Sequence, residues 1–239
     1  MKNNLPTMFA IAVMTVLLSA CSIAPDVSSV SGELPIATEI APAAVATVAQ
    51  PLPTETQGPS QEQTLRIMAE EEQMARDIYN VLFLQTEQKV FQNIAASEQT
   101  HTDTLSTLMA SKQLDPLPGI PGQYGDPDLQ ALYNNLIAQA SQGTEQALHT
   151  GALVEETDIR DLRLAIAAST DPLVTAAYQQ LLDGSYNHLA AFANAIQRQS
   201  GQAYLAQLLP AEDVAAILAE NSTQAGGNGT GQNGNGQHP

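Results

Sequence analysis

The run Asn93-Ile-Ala-Ala-Ser-Glu98-Gln-Thr-His101 sets a carboxylate and an imidazole three residues apart in a helix-forming stretch. Side chains at i and i+3 share one face of an α-helix. Glu98 follows Ile94 and Ala95 by four and three residues, so the pair falls on the apolar face. A plain hydrophobic core does not choose such residues, because a buried carboxylate is costly unless something compensates its charge. The spacing predicts a helix over residues 91–111, with Leu105, Leu108 and Met109 continuing the seam.

The same period recurs on both sides of this run. Upstream, Leu65, Met68, Ala75, Tyr79 and Leu82 form the stripe of a helix predicted over residues 61–85, and Glu72 interrupts it. Glu72 ends the acidic run Glu70-Glu71-Glu72, of which only one member is expected deep in the seam. Downstream, Thr144 is expected to cap a helix reaching Ala168, with seam residues Leu148, Ala152, Ile159, Leu162 and Ile166. Glu155 falls inside that seam, Asp158 lies one turn on, and Glu155 is preferred to its neighbour Glu156 because it shares a face with Asp158. Asp171-Pro172 supplies a cap followed by proline at the first helical position. The helix it opens is predicted to reach Gln199, with Val174, Tyr178, Leu181, Phe192 and Ala195 inward and His188 among them.

Between the second and third long helices, a Pro/Gly-rich stretch over 115–125 leads to Asp126-Pro127, which opens a short helix to Ala140. A last short helix is expected over 210–219. No strand-like alternation appears. The expected fold is all-α: a four-helix bundle with a long crossover containing a short helix between helices two and three. That is the ferritin-like topology, one of several the lengths allow. Each long helix brings at least one metal-capable side chain to its inner face: Glu72, Glu98 with His101, Glu155 with Asp158, and His188.

The flanks have another character. Lys2, an apolar stretch over 8–18 and the small pair Ser19-Ala20 make a secretory signal of residues 1–20, too short to span a bilayer as a helix. Leu18-Ser19-Ala20-Cys21 resembles a bacterial lipobox, which implies acylation of Cys21 and a protein exported and lipid-anchored to the cell envelope, on its periplasmic or extracellular face. Residues 21–60 are a Pro/Ala/Thr-rich tether, residues 61–219 the folded domain, and residues 220–239 a Gly/Asn-rich tail. Cys21 is the only cysteine, which excludes an intramolecular disulfide and Cys-ligated zinc or iron–sulfur sites within the chain. With 25 acidic against 8 basic residues, nucleic acid is not an expected partner. The expected partners are metal ions, a membrane through the anchor, and a second copy in a homodimer.

Two motifs carry a resemblance. Glu72-Gln-Met-Ala75-Arg76-Asp-Ile-Tyr79 resembles the first-helix motif of rubrerythrin-type ferritin-like proteins, and Glu98-x-x-His101 the second. With the runs around Gly151–Ile159 and Gly184–His188, residues 61–217 are similar to a bacterial ferritin-like family, domain of unknown function 2202. The resemblance implies a ferritin-like fold and a metal site at Glu72, Glu98, His101, Glu155, Asp158 and His188, but no established reaction. At Ser185 the sequence departs from a complete di-iron pattern, since a fourth-helix Glu-x-x-His would have glutamate there. Either Asp158 compensates, or the site holds one metal, or it holds a metal other than iron.

Three functions follow as expectations. One is non-haem di-iron or di-manganese oxidoreductase chemistry with oxygen or peroxide. Another is divalent-metal binding or buffering at the cell surface without turnover. The last is a structural bundle whose metal site has degenerated. His149 and His238 have no metal-capable neighbours in the pattern, and Tyr79 is expected to pack with its hydroxyl partnered.

Overall fold

Six α-helices and no strands form the described part of the chain, residues 59–227 of a computed structural model, with side chains described to residue 221. The signal segment, Cys21, the tether up to residue 58 and the tail beyond residue 227 lie outside the described residues. No described helix is long and apolar enough to cross a membrane.

Helix α1 (Gln61–Thr86) begins in a capping box, in which Ser60 and Gln63 each satisfy a backbone N–H of the other. It ends at Glu87 in the left-handed conformation, and Gln88 leads directly into α2 (Lys89–Ser111). α3 (Pro127–Ala140) and α5 (Pro172–Ser200) start as expected, with Asp126 and Asp171 accepting from the first free amides. α4 (Thr144–Ala168) differs: Gly143 is the cap residue and Thr144 already the first helical one. α6 (Ala211–Gly227) runs past the expected end at residue 219, so the helix takes in residues whose composition suggested the tail.

Contacts fix the helix directions. Tyr79 packs on Phe91 and Glu72 reaches His101, so α1 and α2 run antiparallel. Glu155 meets His188 while Asp158 meets Ser185, which makes α4 and α5 antiparallel. Phe91 lies against Phe192 and His101 against His188, so α2 and α5 are also antiparallel. α2 and α4 therefore point the same way, and the chain returns along the described helices between them through residues 112–126 and α3. This connection is held to the back of α1. Asp77, 3 % exposed, accepts from Gly122 N (2.9 Å), the Tyr124 hydroxyl (3.0 Å) and Arg76, and Gln73 donates to Pro118 O.

The seams predicted from periodicity meet in one core. Tyr79, Phe91 and Phe192 pack with ring centroids 5.3–6.2 Å apart, beside the cluster described next. Glycine makes this packing possible: a Cβ at Gly151 would lie 2.5 Å from the Phe192 ring.

Candidate metal centre

The four long helices bring five metal-capable side chains into two groups that share one member. Glu72, Glu98 and His101 place one ligand atom each within 4.8 Å of one another, and so do Glu98, Glu155 and His188. All five residues are buried. Glu98 is the pivot. Its Oε2 lies 2.8 Å from His101 Nδ1, and its Oε1 lies 2.7 Å from His188 Nδ1. On the far side of each imidazole nitrogen is a second carboxylate: Glu72 Oε2 at 3.1 Å from His101, Glu155 Oε2 at 3.5 Å from His188.

Each side chain is held from behind. His188 Nε2 lies 2.9 Å from Ser97 Oγ, which can fix the tautomer that leaves Nδ1 facing the carboxylates. The ring of His101 rests on α5 at Gly184, where a Cβ would come within 2.7 Å of its Cε1 and Nε2. The Tyr79 hydroxyl donates to Glu155 Oε1, so the expected hydroxyl partner is itself a candidate ligand. Asp158 lies beside the two groups without joining either. Ser185, at the position where the di-iron pattern would have glutamate, shares its one hydroxyl proton between Asp158 Oδ2 and Leu181 O (3.0 Å). Asp158 of α4 thus meets α5 at the position where the glutamate is missing.

The electrostatics are those of too much negative charge in a dry place. Burial, and then Asp158 and Glu98, push the Glu72 carboxyl well above its ordinary range. Burial, Glu155 and Glu98 do the same to Asp158. Glu155 is raised by burial, against the pull of His188. Burial would raise Glu98 as well, but the histidines beside it, His101 foremost, hold it below the ordinary carboxylate range. Glu72 Oε1, Asp158 Oδ1 and His188 Nδ1 are shielded from solvent with no hydrogen-bond partner; His188 Nδ1 is near Glu98 Oε1 but not aligned to donate to it. Such orphaned atoms are rare in folded proteins and call for a compensating group. Divalent cations satisfy them and remove the charge penalty together, and a mixed imidazole–carboxylate donor set suits first-row metals.

Sequence reasoning missed some neighbours. The acidic run buries two members: Glu72 is 1 % exposed, and Glu70 is 8 % exposed. Glu156 is as deeply buried as Glu155 but belongs elsewhere: it accepts from the Tyr204 hydroxyl and the backbone amides of Gln207, Leu208 and Leu209. His149 packs against Tyr204, away from the cluster. Ser97 and Gly184 stand inside the runs Asn93–His101 and Gly184–His188, yet their roles depend on a facing helix and leave no local signal.

The family profile described as "Uncharacterized protein domain (DUF2202)" matches residues 61–221, the whole of the described bundle helices and most of α6. The chain belongs to the DUF2202 family. A relative in sequence is "Uncharacterized protein MJ0754" of Methanocaldococcus jannaschii, 32% identical over 179 residues, spanning 74% of this chain and 96% of that protein. The crystal structure of hypothetical protein MJ0754 from the same source superposes with a TM-score of 0.65 at 30% identity, over 71% of this chain and 98% of that one. The similarity therefore extends over nearly the whole of that relative and about three quarters of this chain.

Proposed function

We propose that this DUF2202 protein holds a pair of divalent metal ions inside a ferritin-like four-helix bundle, and that the pair serves non-haem oxidoreductase chemistry. The observation that carries the reading is Glu98, whose two oxygens face two different histidines, each backed by its own carboxylate. A carboxylate so placed suits a bridging ligand, and the parallel relation of α2 and α4 across a long crossover supports the ferritin-like topology. Glu72 and His101 would complete one ion's protein ligands, Glu155 and His188 the other's, with Asp158 in reserve where the fourth-helix carboxylate is missing. An iron or manganese pair supplies electron exchange with dioxygen or peroxide. The chain's own residues orient the ligands and exclude water: Ser97 and Gly184 set the imidazoles, and the Tyr79 hydroxyl holds Glu155.

Elemental analysis of the purified full chain tests this. Two iron or manganese ions per chain are expected, one in His101→Ala or His188→Ala, and none retained in Glu98→Ala. The parent should oxidise ferrous iron faster than a Glu98→Ala/His101→Ala variant. A chain that binds no metal refutes the reading. Stoichiometric metal without oxidant consumption would favour capture or buffering instead. We also propose that the domain works outside the cytoplasm on a lipid anchor at Cys21, supported by the lipobox-like Leu18–Cys21 and the single thiol. Unacylated Cys21 in envelope fractions would refute that placement.

A further inference from the structure

We propose that cations reach this centre through the cavity between α1, α3 and α4, with Glu71 as the receiving carboxylate and Asp158 as the relay; the inference rests on the metal-centre reading above. The cavity has a volume of about 20 Å³, room for one water-sized occupant. Its wall combines Leu132 and Leu136 of α3, Val154 and Thr157 of α4, and the two carboxylates Glu71 and Asp158. One oxygen of each, Glu71 Oε2 and Asp158 Oδ1, is shielded from solvent and has no hydrogen-bond partner. Each can therefore take up a cation in exchange for a proton, without breaking an existing hydrogen bond.

Asp158 belongs to both spaces. It lines the cavity, while its other oxygen accepts from Ser185 on α5, across the bundle. Its charge also bears on Glu72 of the proposed centre. On the outer side, the negative charge of Asp126 bears on both Glu70 and Glu71. The nearby cations are hydrogen-bonded elsewhere, Arg160 to both oxygens of Asp161 and Arg66 to Asp115 O, although their charges also bear on Glu71 and Glu70. A line of acidic groups thus runs from the surface at Asp126 through Glu71 to Asp158. At α2 and α5, on the other side of the centre, the His101 and His188 side chains are 8% and 10% exposed. This side offers an approaching cation imidazole edges and the Ser97 hydroxyl. Apolar walls around carboxylates focus the field and raise the arrival rate of an oppositely charged ligand by about 10–1000-fold.

Stopped-flow uptake of Co²⁺ by the metal-free full chain, followed by cobalt absorption, separates route from destination. Glu71→Gln should slow uptake about tenfold while the final stoichiometry stays that of the parent. Leu132→Ala trims a half-buried cover residue and should speed uptake, again at unchanged stoichiometry. Parent-like rates in both variants overturn the route and leave the metal centre standing. A parent chain that takes up no cobalt overturns both.

Discussion

Gly184→Ala puts the geometry of the proposed centre to a quantitative test. An added Cβ would lie 2.7 Å from Cε1 and Nε2 of His101, whereas ordinary contact begins at 3.4 Å. The ring must therefore retreat by about 0.7 Å, the difference between those distances. Its other edge already stands 3.1 Å from Glu72 Oε2 and 2.8 Å from Glu98 Oε2. Metal–ligand distances tolerate only about ±0.2 Å. The substitution should weaken the cation at Glu72/Glu98/His101 by about 10–100-fold, as loss of a supporting contact does, and leave the one at Glu155/His188 in place. The fold should suffer less. Overpacking costs about 1–3 kcal/mol, and replacing a mid-helix glycine by alanine returns about 1 kcal/mol. Gly151→Ala is the control, since its Cβ would press on Phe192, which is not a ligand. It should lower the melting temperature while retaining both cations. Cobalt titration of both variants, with melts in chelator, reads the two effects separately. A Gly184→Ala chain that binds two cations with parent affinity would refute the placement of His101.

Three further outcomes are expected. Burial lowers the His188 imidazolium, but Glu155 and Glu98 outweigh it and push the group up to about 10. That contribution to stability is complete below the ordinary value of 6.5 and is lost as pH rises through about 10, and the raised carboxyls of Glu72 and Asp158 act in the same sense. Chelated protein should thus melt lower at about pH 9 than at about pH 6, whereas saturating cation should stabilise more as pH rises, because its ligands must be deprotonated; a chelated chain that melts higher at the alkaline end contradicts this. Glu156→Gln should cost about 3 kcal/mol in urea unfolding, since a fully buried carboxylate loses charge-assisted bonds from Tyr204 and from the amides of Leu208 and Leu209 (2.6 Å each). Metal stoichiometry should not change, and a loss of metal would place Glu156 in the centre. Asp77→Asn should loosen the crossover, read as faster tryptic cleavage at Lys112 and about 1–2 kcal/mol of lost stability; parent-like cleavage would mean that Gly122 and Tyr124 do not anchor it.

Much of this was legible in the sequence, and the reasons differ by residue. Glu98 and His101 declare a shared face through spacing alone, because helical period is a local property. Asp126 and Asp171 mark helix starts by the chemistry of a cap followed by proline. Thr144 did not become a cap, since Gly143 takes the non-helical backbone before it at φ 142. Glu155 and Glu156 are adjacent and both buried, and no local pattern separates them. Their separation depends on residues 204–209 folding back over Glu156 from some 50 positions away. Glu70 looks like a solvated neighbour of Glu72, yet it is buried.

The sequence by itself determined an all-helical domain with carboxylates and histidines on the inner faces of four helices, because amphipathic period and cap chemistry act within a few residues. Only the tertiary structure decided which oxygen meets which nitrogen. Glu98 serves two groups because α5 brings His188 to its Oε1, while His101, one turn on along α2 itself, holds its Oε2. Ser185 meets Asp158 because α4 and α5 pair in the register that sets those two side chains face to face. Register between helices is set by how whole faces pack, and no single stretch of chain contains it.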